Sequence, residues 1–210
     1  SNTVGAPEGW RGLYVGGGGA YSNVSVLVSQ GDCYDSCYWG DYYDYDEGDG
    51  DFGYTLHAGW RFHQYGALEV SYLDAGPIGW DQDLVYMPEF NDYYNNRIEY
   101  SAKVTQVAVL GILPFGEMFE VYAKLGAAFS EGESVQRLDQ SFGDQVVTRS
   151  VSDNGTDVAW GLGVGVTFAK VFHVRLGFES VGIDEDVLNT RNDTTLDSFL
   201  LEGQFRFGGY

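Results

Sequence analysis

The stretch Val158-Ala-Trp-Gly-Leu-Gly-Val-Gly-Val-Thr-Phe168 decides the fold. Val158, Trp160, Leu162, Val164, Val166 and Phe168 share one parity; Ala159, Gly161, Gly163, Gly165 and Thr167 share the other. A repeat of two marks a strand, because successive side chains of an extended chain point to opposite faces. In a soluble sheet the second face would carry solvated lysines and glutamates. Here it is small and rich in glycine.

The pattern recurs on both sides of this segment. Phe172, Val174, Leu176 and Phe178 alternate with His173, Arg175, Gly177 and Glu179, and Leu201, Phe205 and Phe207 alternate with Glu202, Gln204 and Arg206. Phe119, Val121, Ala123, Leu125 and Phe129 alternate with Glu120, Tyr122, Lys124 and Gly126. Shorter versions run through Leu68, Val70 and Tyr72, through Leu56, Trp60 and Phe62, and through Leu13, Val15 and Tyr21. The least regular is Tyr100–Ile112, where Gln106 falls on the apolar parity. Eight strands result, about the smallest number that closes into a barrel with a filled interior.

The connections alternate in length. Short ones fall near 63–66, 114–118 and 169–171; long ones span roughly 31–50, 76–97, 131–155 and 184–194. In an up-and-down barrel, alternate connections lie at one end, so all short turns share a rim and all long loops share the other. The expected fold is therefore all-β: an eight-stranded antiparallel up-and-down transmembrane β-barrel with short periplasmic turns and long extracellular loops. Residues 10–210 read as one domain, with 1–9 as a lead-in whose Ser1-Asn2 looks like a remnant of tag cleavage.

Composition narrows the function. The formal net charge of −20 excludes nucleic acid, whose phosphates need a basic footprint. No apolar run approaches the roughly 18–20 residues of a membrane helix, and mean hydropathy is −0.21. Neither fact excludes a barrel, whose strands show lipid only alternate residues. Large apolar residues on one parity suit a lipid-facing exterior, and Trp10, Phe115, Phe119, Trp160, Phe172 and Phe207 tend towards strand ends as interfacial aromatics do. A lipocalin-like soluble barrel would need a solvated outer face.

The charged residues on the other parity define a candidate interior network: Arg61, Glu69, Lys103, Lys124, Arg175, Glu179, Glu202 and Arg206, with Glu120 on the same face. Charges inside so narrow a barrel must pair. They line either a gated pore or, in better keeping with eight strands, a packed core without a path. Most remaining acids fall in the long loops. Asp44, Asp46, Asp49 and Asp51 offer hard oxygen ligands for Ca²⁺, without the distal glutamate of an EF-hand; a solvated loop is the plainer reading. Cys33 and Cys37 are expected to close a small disulfide loop in an oxidising compartment. Tyr42-Tyr43 and Tyr93-Tyr94 supply aromatic area to a surface partner. His57, His63 and His173 carry no His-x-Ser arrangement, so catalysis is not expected.

Several segments resemble the transmembrane domain of OmpA-like outer membrane proteins, to which opacity-type surface proteins are related. Val174–Glu179, leading through Leu196-Asp197-Ser198 to Gly203–Gly208, resembles the final hairpin of that family; Val121–Gly126 is similar to its fifth strand, Leu13–Gly16 to its first and Ala67–Tyr72 to its third. The resemblance implies a barrel integral to the outer membrane of a Gram-negative bacterium. It also implies an interior salt-bridge network that Glu69, Lys124 and Arg175 match. Val109 stands where the family has a fourth-strand lysine, and Lys103 is an imperfect substitute. The function expected is a monomeric structural barrel among membrane lipids and lipopolysaccharide, its acidic loops sharing divalent cations with lipopolysaccharide phosphates or binding an extracellular protein or other surface ligand. A narrow porin-like channel is the alternative, and no cofactor beyond the possible Ca²⁺ is implied.

Overall fold

The computed structural model describes residues 11–27, 50–87, 92–116, 118–140, 146–168, 171–187 and 190–207. Eight strands run in order: β1 (Gly12–Leu27), β2 (Asp51–His63), β3 (Gly66–Met87), β4 (Asp92–Phe115), β5 (Phe119–Gln140), β6 (Val146–Phe168), β7 (Phe172–Val187) and β8 (Thr190–Phe207). Each pairs antiparallel with its neighbours, and β1 closes on β8.

The register fixes the shape. Following paired residues once around, Tyr14 leads to Gly59, Glu69, Ala108, Gly126, Ala159, Val181, Leu196 and back to β1 at Val24, ten residues beyond the start. With eight strands that offset sets a tilt of roughly 40° and a backbone radius of about 8 Å. A cylinder so narrow leaves room only for side chains.

Outward residues form an apolar belt. Leu13, Phe52, Trp60, Leu125, Val158, Leu162, Leu176, Leu201 and Phe207 are all more than two-fifths exposed. On β5 the large exposed residues run from Phe119 to Phe129, and on β6 from Val158 to Phe168. Ten or eleven residues at about 3.3 Å, tilted by about 40°, make a band of about 26 Å, the height of the apolar band of a membrane barrel. Aromatic pairs such as Trp60–Phe62 and Phe205–Phe207 mark its turn-end edge.

Inward residues explain the glycines. Where a large side chain lies across the lumen face of a neighbouring strand, that strand has no Cβ to offer. A Cβ on Gly163 would meet the Tyr122 ring at 2.4 Å, and one on Gly59 would meet the Tyr14 ring at 2.2 Å. The small parity of β6 is therefore the floor on which Tyr122 and its neighbours pack.

The strands extend well past the belt. Segments expected as long loops at 76–97, 131–155 and 184–194 are mostly paired strand: β3 and β4 stay paired to Met87↔Asp92, with register shifts at Asp74/Pro77 and Gln82/Val85, while β5 and β6 run in register to Asp139↔Val146 and β7 and β8 to Val187↔Thr190. The first long connection, 28–49, lies outside the described residues.

Closure does not persist to the same height. The β2–β3 ladder ends at Tyr54↔Asp74 and the β6–β7 ladder at Ala159↔Val181, although both flanking strands of the second seam continue beyond it. Above these levels β3–β6 form a tall four-stranded blade, and β7, β8 and β1 a shorter one. Beyond the last pair of each ladder an aspartate takes the N–H of the residue that follows it. Asp157 Oδ1 accepts the Val158 N–H at 2.6 Å, and Asp51 Oδ1 accepts the Phe52 N–H at 2.6 Å. Gly76, at φ 75, forms a bulge with Pro77 in which Asp74 Oδ1 accepts the Gly76 N–H at 3.2 Å. The extra residue reverses parity, so Ile78 rather than Pro77 is buried.

Candidate functional site: a neutral interior and an acidic crown

Two ionic clusters occupy the lumen. In the first, Glu69 Oε2 accepts from Arg175 Nη1 at 2.8 Å and from the Tyr14 hydroxyl at 2.9 Å, while Lys124 Nζ lies 3.2 Å from Oε1. Lys124 also donates to Glu179 at 2.7 Å and to Ser71 at 3.0 Å. Arg175 holds Glu202 Oε2 through Nη2 and Nε, at 2.8 and 3.1 Å, with its guanidinium 5.2 Å from the centre of the Tyr122 ring. The other oxygen of Glu202 meets His57 Nδ1 at 3.1 Å and accepts from Thr55 at 3.2 Å.

The second cluster sits nearer the short turns and centres on Glu120. Arg61 Nη1 donates to it at 2.7 Å, Arg206 Nη2 at 3.3 Å, and His173 Nε2 lies 3.0 Å away. Thr167 Oγ1 is 2.9 Å from His173 Nδ1. A cavity of about 10 Å³ touching Tyr14, Arg61, Glu120, Tyr122, Arg175 and Arg206 has room for about one water molecule.

The four cations Arg61, Lys124, Arg175 and Arg206 face the four carboxylates Glu69, Glu120, Glu179 and Glu202. The arrangement is neutral, as it must be: an uncompensated charge at such a site costs about 3–5 kcal/mol. Above it lies an apolar layer of Ala20, Leu73, Ala75, Ile78, Val104, Val181, Leu196 and Leu200, all nearly inaccessible to solvent.

Seven of the eight candidate network residues are therefore lumenal. Lys103 is not. It is exposed on the outer wall, opposite Asp74 on β3 and Glu131 on β5. The correction has a physical reason: β4 carries apolar residues on both faces, with Ala102, Val104, Leu110 and Ile112 buried and Val107, Val109 and Leu113 exposed. Alternation of apolar with polar cannot choose the inside of such a strand. Gln106, the odd member of the apolar parity, is the buried residue, accepting from Ser71 at 3.3 Å. Tyr14, His57 and His173 join the network without having been site candidates, and Glu120, expected on the same face, centres the second cluster. Their signal was present, since His57, Glu120 and His173 share the parity of Arg61, Lys124 and Arg175 on their strands. Cys33, Cys37, Asp44, Asp46 and Asp49 lie outside the described residues; Asp51, the last of the proposed calcium ligands, opens β2 opposite Ser22 of β1, its carboxylate accepting the Phe52 N–H.

The remaining charge of the described residues lies mostly in one place. Glu8 and Arg11 precede β1, and Glu117 and Lys170 fall in the short turn segments. These four cancel, and so do the eight in the lumen. Among the described residues, sixteen further acids and five cations, Arg97, Lys103, Arg137, Arg149 and Arg191, stand at and above the outer edge of the belt, a surplus of eleven negative charges.

A tilted, sheared, eight-stranded cylinder with an apolar belt and a neutral ionic core is an outer membrane barrel, and comparison with known families agrees. Residues 3–207 match the outer membrane protein beta-barrel domain. The chain belongs to that family. As an outer membrane barrel it is integral to the membrane, the short turns on the periplasmic side and the blades outside. Among solved structures it is similar to Ail, the attachment invasion locus protein of Yersinia pestis, at 18% identity, covering 93% of this chain and 99% of that chain with a TM-score of 0.52. Ail in complex with the heparin analogue sucrose octasulfate gives 17% identity, coverage of 94% and 99%, and a TM-score of 0.50. OprG from Pseudomonas aeruginosa gives 11% identity, coverage of 97% and 100%, and a TM-score of 0.52. Likeness at this identity shows the shared fold. No curated protein matches the chain.

Proposed function

We propose that the chain is a closed structural barrel whose acidic outer blades engage a cationic partner outside the cell. One observation carries the reading: the interior is neutral and filled, while the described residues of the outer half hold a surplus of eleven negative charges. Charge segregated in this way attracts cations from beyond contact distance and repels like-charged surfaces. Ail takes a sulfated, anionic ligand in one of its structures. This chain has the opposite polarity to offer, so the same barrel would serve a different class of partner.

The filled lumen supports the closed barrel over the narrow channel. Lys124, Arg175 and their carboxylates span the cross-section, and the apolar layer above them leaves no hydrated route through the described interior. Catalysis gains no support from Thr167, His173 and Glu120, although they form a hydroxyl–imidazole–carboxylate line. His173 is 0% exposed, and Glu120 is already held by Arg61 and Arg206. The line braces the turn end of the lumen.

The test is a fluorescent octalysine titrated onto protein refolded in zwitterionic detergent. Binding should weaken by about tenfold or more between 50 and 300 mM salt, as a screened attraction does, and octaglutamate should not bind. Planar-bilayer recording of the same preparation should show no reproducible conductance steps. Octaglutamate binding as well as octalysine would defeat the acidic-face reading; steady steps would defeat the closed barrel.

A further inference from the structure

Among the described residues, the β6–β7 seam leaves a strand edge without a neighbour. β6 runs from Val146 and β7 reaches Val187, both described, yet no pairing joins them above Ala159↔Val181. The opposite seam is less informative, because the chain that precedes β2 lies outside the described residues. On the β5 side β6 is paired throughout, from Asp139↔Val146 down to Phe119↔Val166, with no shift of register.

The direction of each backbone group follows. Thr167 N–H donates to the Met118 carbonyl, just before β5, at 2.7 Å. In an antiparallel ladder, residues alternate between their two neighbours. Odd-numbered residues of β6 therefore bond to β5, and even-numbered ones face β7. Val158 agrees, since its N–H, which β7 does not take, goes to the Asp157 carboxylate. Above it, Thr148, Ser150 and Ser152 turn their N–H and C=O groups to the open side. Three residues of this kind offer about six hydrogen bonds in the pattern a sheet uses to accept another strand.

We infer that this edge of β6, over Val146–Asp153, takes an extended cationic segment of a partner protein as an added strand. The inference deepens the function proposed above and rests on it for the partner's charge. Strand addition draws affinity from the main chain and selectivity from alternate side chains. Above the belt, the four strands of the blade that presents the edge carry ten acids against Arg97, Lys103, Arg137 and Arg149, a surplus of six negative charges. That charge selects the occupant: a second copy would bring its own −20 against the first, whereas a segment rich in lysine or arginine would be attracted. The site also stands clear of lipid, because Val158 is the last large exposed apolar residue of β6 below it.

The experiment uses the full chain refolded in detergent and three labelled peptides of matched charge: alternating lysine–valine, which can pair as a strand; alternating lysine–proline, which lacks half the donors; and octalysine. The lysine–valine peptide should bind at least tenfold tighter than either control and should slow amide exchange at Thr148, Ser150 and Ser152. Ser150→Pro removes one outward N–H while sparing the β5 ladder, a place where an edge strand tolerates proline. It should bring lysine–valine binding down to the level of octalysine, whereas Ser150→Ala, which keeps the N–H, should leave it unchanged. A tenfold advantage that survives Ser150→Pro, or no change in exchange at the three amides of the unaltered chain, would overturn the edge assignment and leave the acidic face standing. Failure of octalysine itself to bind would remove the acidic-face reading, and the inference with it. The exchange measurement needs no variant, so a Ser150→Pro protein that does not refold does not shelter the proposal.

Discussion

A single oxygen atom decides whether one of the barrel's glycines is needed. A Cβ on Gly177 would lie 2.4 Å from the Tyr122 hydroxyl, but 3.5 Å from the nearest ring carbon and 3.6 Å from the Leu162 carbonyl. Gly177→Ala should therefore destabilise the barrel by about 1–3 kcal/mol, the usual effect of overpacking. In a Tyr122→Phe background most of that loss should vanish, a coupling of about 1 kcal/mol or more between touching residues. Urea unfolding from lipid vesicles, followed by tryptophan fluorescence, measures both; equal losses in the two backgrounds would show that the hydroxyl is not the obstacle. The same scale shows why Lys103 misled. A lysine among apolar neighbours looks lumenal when lipid is assumed to touch only one parity, but β4 is apolar inside and out, and its lysine sits between acids on the outer wall. Glu69, Lys124 and Arg175 were legible because their strands are apolar on one face alone.

At the scale of the strand, alternation reveals only what the bilayer enforces. Between Val158 and Phe168 one face meets lipid and the other the lumen, so the period of two is plain. Between Thr148 and Asp157 the residues are polar on both parities except for Val151, and the segment reads as a loop although it is strand. The Gly76–Pro77 bulge hides β3 in another way, by reversing parity at the outer edge of the belt. The missing β7 partner has its own signature in this element. Amide exchange along β6 should be slow at every residue from Ala159 to Val166, where both neighbours are paired. Above Val158 it should alternate, slow at Val147, Arg149 and Val151 and fast at Thr148, Ser150 and Ser152. Uniform protection from Ser150 to Ser152 would mean that something else covers the edge.

At the scale of the molecule, closure was readable from eight alternating segments joined by connections of alternating length. The two seams were not, because they depend on where neighbouring ladders stop rather than on any local pattern. Charge partition was half readable. The acids of the first long connection stand out in the sequence, but that the lumen sums to zero needed the placement of Lys103 on the wall. The barrel's two ends therefore differ sharply: among the described residues, the periplasmic end has only Arg11 beyond the balanced lumen, and the outer crown holds a surplus of eleven negative charges.

That difference gives the molecule a front and a back for passage through a hydrocarbon slab. Carboxylates in the number found on the crown cannot be dragged through acyl chains, whereas the described turn rim brings only Arg11 with it. Added unfolded to preformed vesicles, the chain should enter turns first, and every crown should remain on the face from which it arrived. A membrane-impermeant amine reagent supplied outside would then label Lys103, exposed on the outer wall, in essentially all copies, and an even split between labelled and shielded molecules would show that the asymmetry of charge does not steer insertion.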